Sequence, residues 1–294
     1  MALKLSGSMT ALVTPFKDGK VDHKAFASHI EHQIENGTTV LVPAGTTGES
    51  STLSNDEQLA VIEAAVKVAK GRVRVVAGTG KNDTAATIEL TRKAKELGVD
   101  AALVVTPYYN KPTQDGLVRH YTAIAEAVDL PLVLYNVPGR TGVNMLAETV
   151  ARLAMNPRII ASKEASGDLV LAAEIVRLCP PGFALISGED ALTFPMIALG
   201  AVGVISVTSN VVPAEFAKLV KAALAADYAT ARAIHMKLMP LMRTLFIESS
   251  PGPVKAALAK MGRMSAEMRL PMAPISDASE TKIASVLREL GLAS

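Results

Sequence analysis

A single cysteine, Cys179, leaves no partner for an intrachain disulfide, and no Cys/His cluster has the spacing of a structural zinc site. The expected location is therefore a reducing compartment, the cytoplasm. An excess of one charge is missing too: 30 Lys and Arg stand against 28 Asp and Glu, a formal net charge of +2, scattered along the chain. That leaves no field to hold nucleic acid or an anionic membrane surface. Nowhere do the roughly 20 uninterrupted apolar residues of a membrane span occur. The opening MALKLSGSMTALVTPF is broken by Thr14 and Pro15 before it reaches signal-peptide length, so a soluble, unexported protein is expected. Histidine is sparse. His23, His29, His32, His120 and His235 fall mainly in segments of helical character, read as solvated helix faces, and give no support to a His-based acid–base pair or a metal site. No Gly-x-Gly-x-x-Gly opens a helix after the first apolar run and no Walker sequence occurs, so no nucleotide cofactor is expected.

What is abundant is apolar sequence, 49% of 294 residues, enough for one large core. Eight short β-branched runs recur: Thr10 to Val13, Thr38 to Pro43, Val73 to Ala77, Ala101 to Thr106, Leu130 to Val137, Ile159 to Lys163, Phe183 to Ser187 and Val202 to Thr208. Between them lie Ala/Leu/Glu/Lys-rich stretches with helical spacing, such as Phe26, Ile30 and Ile34, or Leu59, Ile62, Val66 and Ala69. Ser54 with Glu57 predicts a capping box, and Gly37, Gly71 and Gly98 stand where helices should stop. Runs such as ALVV at 101–104 read as strands buried on both faces, and parallel strands need crossover helices. Eight βα units in series predict a (β/α)8 TIM barrel over residues 1–224, with an open doubly wound sheet as the competing arrangement. Beyond Pro213 no strand-like run remains. Helices are expected at about 227–247, 253–262 and 278–291, forming an additional C-terminal helical region over 225–294.

In a barrel the site lies where apolar strands give way to polar residues at their C-terminal ends. The second run leads into Pro43-Ala44-Gly45-Thr46-Thr47-Gly48-Glu49-Ser50, whose glycines and threonine donors suit an anion, although an ordinary loop can look the same. The fourth ends in Thr106-Pro107-Tyr108-Tyr109-Asn110-Lys111-Pro112, placing two of five tyrosines side by side. The fifth ends in Tyr135, with Arg140 on the loop after it; the guanidinium could grip a carboxylate in bidentate fashion or simply be a surface charge. The sixth puts Lys163 at the end of a run that should be buried. A partly desolvated lysine can lose its proton near neutral pH and attack a ketone, whereas a lysine that only terminates a strand does nothing. The seventh and eighth end in small or apolar residues around Gly188 and Ile205 that leave room for a ligand.

GTTGES at 45–50, TPYYNKP at 106–112, YNVPGRTG at 135–142, SKEASG at 162–167 and GVISVTSN at 203–210 resemble the dihydrodipicolinate synthase family along essentially the whole chain. GTTGE and the lysine belong to a wider group of pyruvate aldolases that includes N-acetylneuraminate lyase; Arg140 favours the synthases. The resemblance implies that Lys163 forms a Schiff base with pyruvate and that Thr46 and Thr47 hold the pyruvate carboxylate. It implies Tyr135 as general acid and base, with Thr47, Tyr135 and Tyr109 as a proton relay in which Tyr109 crosses an interface. Arg140 would bind the carboxylate of aspartate semialdehyde, Gly188 would line the pocket, and the Ile205 carbonyl would lie near the lysine. Members are commonly homotetramers, dimers of tight dimers. Another pyruvate aldolase acting on a sugar acid, and a barrel that binds a small acid without catalysis, are the alternatives. At the family's lysine-inhibition site Ser50, Asn82 and Tyr108 match. Lysine-sensitive bacterial members carry two histidines and a glutamate where this chain has Asn55, Gln58 and Ala86, which implies weak feedback.

Overall fold

The eight apolar runs form parallel strands that close on themselves in the computed structural model, which describes residues 3–293. The strands are β1 (Gly7–Ala11), β4 (Val40–Val42), β5 (Arg74–Gly78), β6 (Ala101–Val105), β7 (Leu132–Asn136), β8 (Ile159–Glu164), β9 (Ala184–Ser187) and β10 (Gly203–Ser206), with a hairpin of β2 (Phe16–Lys17) and β3 (Lys20–Val21) after the first. Barrel strands pair with their chain neighbours, and Gly7 to Thr10 lie opposite Gly203 to Ser206 to seal the ring. Closure rules out the open doubly wound sheet.

The helices are α1 (His23–Glu35), α2 (Asn55–Ala69), α3 (Thr84–Glu96), α4 (Gln114–Ala127), α5 (Pro138–Thr141), α6 (Ala147–Ala154), α7 (Leu169–Leu178), α8 (Thr193–Ala198) and α9 (Pro213–Leu224). Beyond them come α10 (Tyr228–Thr244), α11 (Gly252–Lys260) and α12 (Asp277–Glu289), close to the three expected segments. The capping box at Ser54 and Glu57 is formed in both directions, and Gly37, Gly71 and Gly98 all have positive φ at helix ends. The hairpin was not anticipated, although its signal was present: Asp18 and Gly19 take φ of 52° and 75°, the conformation that a tight hairpin turn demands.

Side chains alternate along each strand, so two cores result. Met9, Val40, Val42, Val76, Leu103, Val133, Ala161, Ile186 and Ile205 fill the barrel interior, while Leu41, Leu132, Leu134 and Leu185 face the helix layer. The same parity turns Tyr135 and Lys163 inward, and these two lie opposite each other in the β7–β8 register.

The histidines depart from expectation: His29, His120 and His235 are buried, not solvated. His29 shows why. Asn210 donates through Nδ2 to the carbonyls of Ala11 and Val207, so its Oδ1 accepts, at 2.9 Å, from His29 Nε2. Helical periodicity had put the ring on α1 but could not show that this position faces the barrel wall. Burial lowers the pKa of His29 and of His120 to about 4.

Candidate active site

The inner ends of β7 and β8 build the centre of the site. Lys163 is 6% exposed, and its Nζ stands over the Tyr135 ring, 4.1 Å from the ring centre. The next strand leaves room beside it, because a Cβ at Gly188 would lie 3.0 Å from Lys163 Cε and 2.6 Å from Ala165 Cβ. Ile205 is buried among the inward-facing residues of the same barrel interior. Glu164, one residue on, has the opposite parity and points into the strand–helix layer. There its carboxylate accepts from Asn136 Nδ2 at 2.9 Å and from the Ser166 amide at 2.7 Å, while burial raises its pKa. Only alternate residues at the end of β8 therefore reach the cavity.

The loop after β4 stands at the same, C-terminal end of the strands. Its amides turn back on its own carbonyls, Gly48 and Ser50 to Gly45 and Glu49 to Thr46, leaving Thr47 buried and Thr46 half-buried. Ala44 and Glu49 both hold φ near +55°, a conformation that costs a residue with a Cβ about 1–2 kcal/mol. Gly78 on the neighbouring strand lets the loop lie close, since a Cβ there would collide with the Ala44 carbonyl.

The loop is held from a part of the chain that no sequence motif had flagged. Glu49 is buried and pairs with Lys255 of α11 at 2.7 Å; the two side chains are 2% and 0% exposed. Lys255 also donates to the Thr14 carbonyl at 3.0 Å and lies over the Phe16 ring. Beside it Arg269 grips Glu57 with two hydrogen bonds of 2.7 and 2.6 Å, which lower that carboxyl to about 2. Opposite charges more than 200 residues apart in sequence carry no periodic signal, so only the folded chain reveals the pairing.

Asp190, just past Gly188, was not expected to matter. Its Oδ2 accepts from the amides of Val207 and Thr208 and from the Thr208 hydroxyl, pinning the turn after β10, and burial raises its pKa. Arg140 lies on α5, with Nη2 donating to the Ser250 carbonyl at 3.0 Å, so the C-terminal region also steadies this guanidinium. Tyr109 is not brought into the barrel mouth: it is 88% exposed, with φ of 73°. Away from the centre, Gln58 is buried, donates to the Gly78 carbonyl and accepts from the Lys81 ammonium at 3.0 Å; the Asn82 carbonyl accepts from Asn110 nearby. Ser50 ends the turn, Tyr108 is half-buried, and Asn55 and Ala86 are exposed.

Among the described residues no helix is long and apolar enough to cross a membrane. The profile of the Dihydrodipicolinate synthetase family matches residues 4–290. The chain is 56% identical to the 4-hydroxy-tetrahydrodipicolinate synthase of Geotalea uraniireducens, over 97% of this chain and 99% of that one. The dihydrodipicolinate synthase structure from Aquifex aeolicus superimposes with a TM-score of 0.97 at 47% identity, covering 98% of this chain and 99% of the other. The Acinetobacter baumannii dihydrodipicolinate synthase, solved complexed with pyruvate, gives 0.97 at 46% identity, covering 98% and 100%.

Proposed function

The chain belongs to the Dihydrodipicolinate synthetase family, and on that premise we propose that it is a lyase condensing pyruvate with L-aspartate 4-semialdehyde to 4-hydroxy-tetrahydrodipicolinate. The reaction serves lysine biosynthesis through diaminopimelate. One observation carries the reading: a buried lysine at the end of β8, under the face of Tyr135 and walled by a glycine. In this mechanism the Lys163 amine attacks the keto carbon of pyruvate, and the carbinolamine loses water to give an imine. Tyr135 carries the proton to the departing hydroxyl. Thr46 and Thr47 hold the substrate carboxylate with hydroxyl and amide donors. Loss of a methyl proton gives the enamine, whose carbon bonds to the aldehyde carbon while Arg140 holds the second carboxylate. The amine of the semialdehyde then adds to the imine carbon, the bond to Lys163 breaks, and the ring closes. Gly188 keeps the pocket wall open beside the lysine, and the Ile205 carbonyl lies near it.

The relay to solvent runs through Thr47, Tyr135 and the Tyr109 of a neighbouring copy, within a homotetramer built as a dimer of tight dimers in the cytoplasm. The exposure of Tyr109 and its left-handed backbone support a role outside its own chain, since such strain persists where a site uses it. Regulation by lysine is weak in this reading. Lys81 already fills the acceptor of Gln58 with an ammonium group, and Ala86 supplies no carboxylate for a second one.

The deciding experiment is mass spectrometry after borohydride treatment with pyruvate, on the native chain and on Lys163→Ala, followed by turnover of aspartate semialdehyde. The expected result is one lysine adduct, lost in the variant, and turnover by the native protein alone. A native chain without the adduct would sink the Schiff-base mechanism.

A further inference from the structure

We propose that Lys255 is a positioning residue for pyruvate: from α11 in the C-terminal region it holds the loop after β4 in the shape that receives the substrate carboxylate. The inference rests on the reading of that loop given above and assigns a role to a side chain outside the barrel's own strand ends.

A fully buried ammonium is costly unless every donor is matched, so its partners indicate what it is for. Lys255 reaches the loop by two routes. It donates to Glu49 Oε1 at 2.7 Å, and Glu49 is two residues from Thr47. It also donates to the Thr14 carbonyl at 3.0 Å, and the Thr14 hydroxyl in turn donates to the Gly48 carbonyl at 2.7 Å. Both routes end on residues that directly follow Thr47. The second oxygen of Glu49 accepts from the Arg269 amide at 3.4 Å, so the carboxylate is held on both sides by the C-terminal region. For stability alone, packed apolar side chains in place of both partners would serve as well, whereas removing one partner leaves a buried charge unmatched. What the charge pair adds is a direction for the Glu49 side chain, and with it a fixed left-handed backbone, φ 55°, two residues after Thr47.

The test compares Lys255→Met and Glu49→Gln with the native enzyme, reading KM for each substrate, kcat, the pyruvate concentration that half-saturates borohydride trapping, and thermal melting. Loosening the loop should raise the pyruvate KM and the half-saturation of trapping about tenfold or more, with kcat at saturating pyruvate within about threefold and the aldehyde KM within about twofold. Glu49→Gln keeps the shape and one hydrogen bond but removes the charge, and should shift pyruvate in the same direction by less. It carries the test if Lys255→Met does not fold. Folded variants with native half-saturation overturn the proposal, as does a parallel loss in both KM values, kcat and melting temperature, which marks a merely structural residue. A native chain that forms no adduct refutes the functional reading itself, and this inference with it.

Discussion

Replacing Gly188 by alanine tests the geometry around Lys163 with one methyl group. The added Cβ would stand 2.6 Å from Ala165 Cβ, 3.0 Å from Lys163 Cε and 3.1 Å from the Glu164 carbonyl. Carbon atoms rest at about 3.5–4.0 Å, so the overlap is roughly 0.9–1.4 Å with Ala165 and roughly 0.5–1 Å with Lys163. The backbone cannot retreat easily, because the Gly188 amide donates to the Glu164 carbonyl at 2.7 Å. Ala165 has no rotamer to change, so its contact is relieved only by a shift of the backbone that carries it, while the Lys163 stem is displaced as well. Overpacking of this kind costs about 1–3 kcal/mol of stability. A reacting group displaced by about 1 Å loses on the order of 100-fold in rate. The melting temperature should fall by a few degrees, while the rate of pyruvate trapping by borohydride, read by intact mass, falls about 100-fold. A folded variant that traps pyruvate within about threefold of the native rate would refute the assignment of Gly188 as the wall that positions the lysine.

Arg140→Ala should leave pyruvate trapping near native and lower kcat/KM for the semialdehyde by about 100-fold, the scale of a lost bidentate carboxylate contact; equal loss of both would place Arg140 in imine formation instead. His29 makes stability depend on acid. Its pKa is lowered from 6.5 to about 4, so the folded state takes up its proton later than the unfolded one. The contribution is complete above pH 6.5 and is lost as pH falls toward 4, amounting to on the order of 3 kcal/mol. The melting-temperature advantage of the native chain over His29→Gln should therefore shrink between pH 7.5 and about 4.5, and a constant gap would contradict the assignment. Lysine at about 1 mM should inhibit turnover by less than half, and strong inhibition below that would require other ligands in the cleft around Gln58 and Lys81.

The order of strands and helices was legible because periodicity is local: ALVV at 101–104 needs no distant partner to read as a buried strand, and Ser54 with Glu57 caps its own helix. The candidate centre was legible for the same reason. Tyr135 and Lys163 sit where apolar runs turn polar, and strand parity directs both inward once the barrel is assumed. Boundaries were less so: the first strand begins three residues earlier than its β-branched run, at Gly7, because pairing with Gly203 to Ser206 rather than side-chain propensity sets its length.

The sequence by itself determined the run of eight βα units, the C-terminal helices and the cluster of strand-end residues, since these follow from spacing along the chain. Only the tertiary structure decided that the barrel is closed, that His29, His120 and His235 are buried, and that Glu49 is matched by Lys255 and Glu57 by Arg269. A charge's partner depends on which surfaces the packed helices bring together across some 200 residues, and a one-dimensional pattern carries no information about that distance.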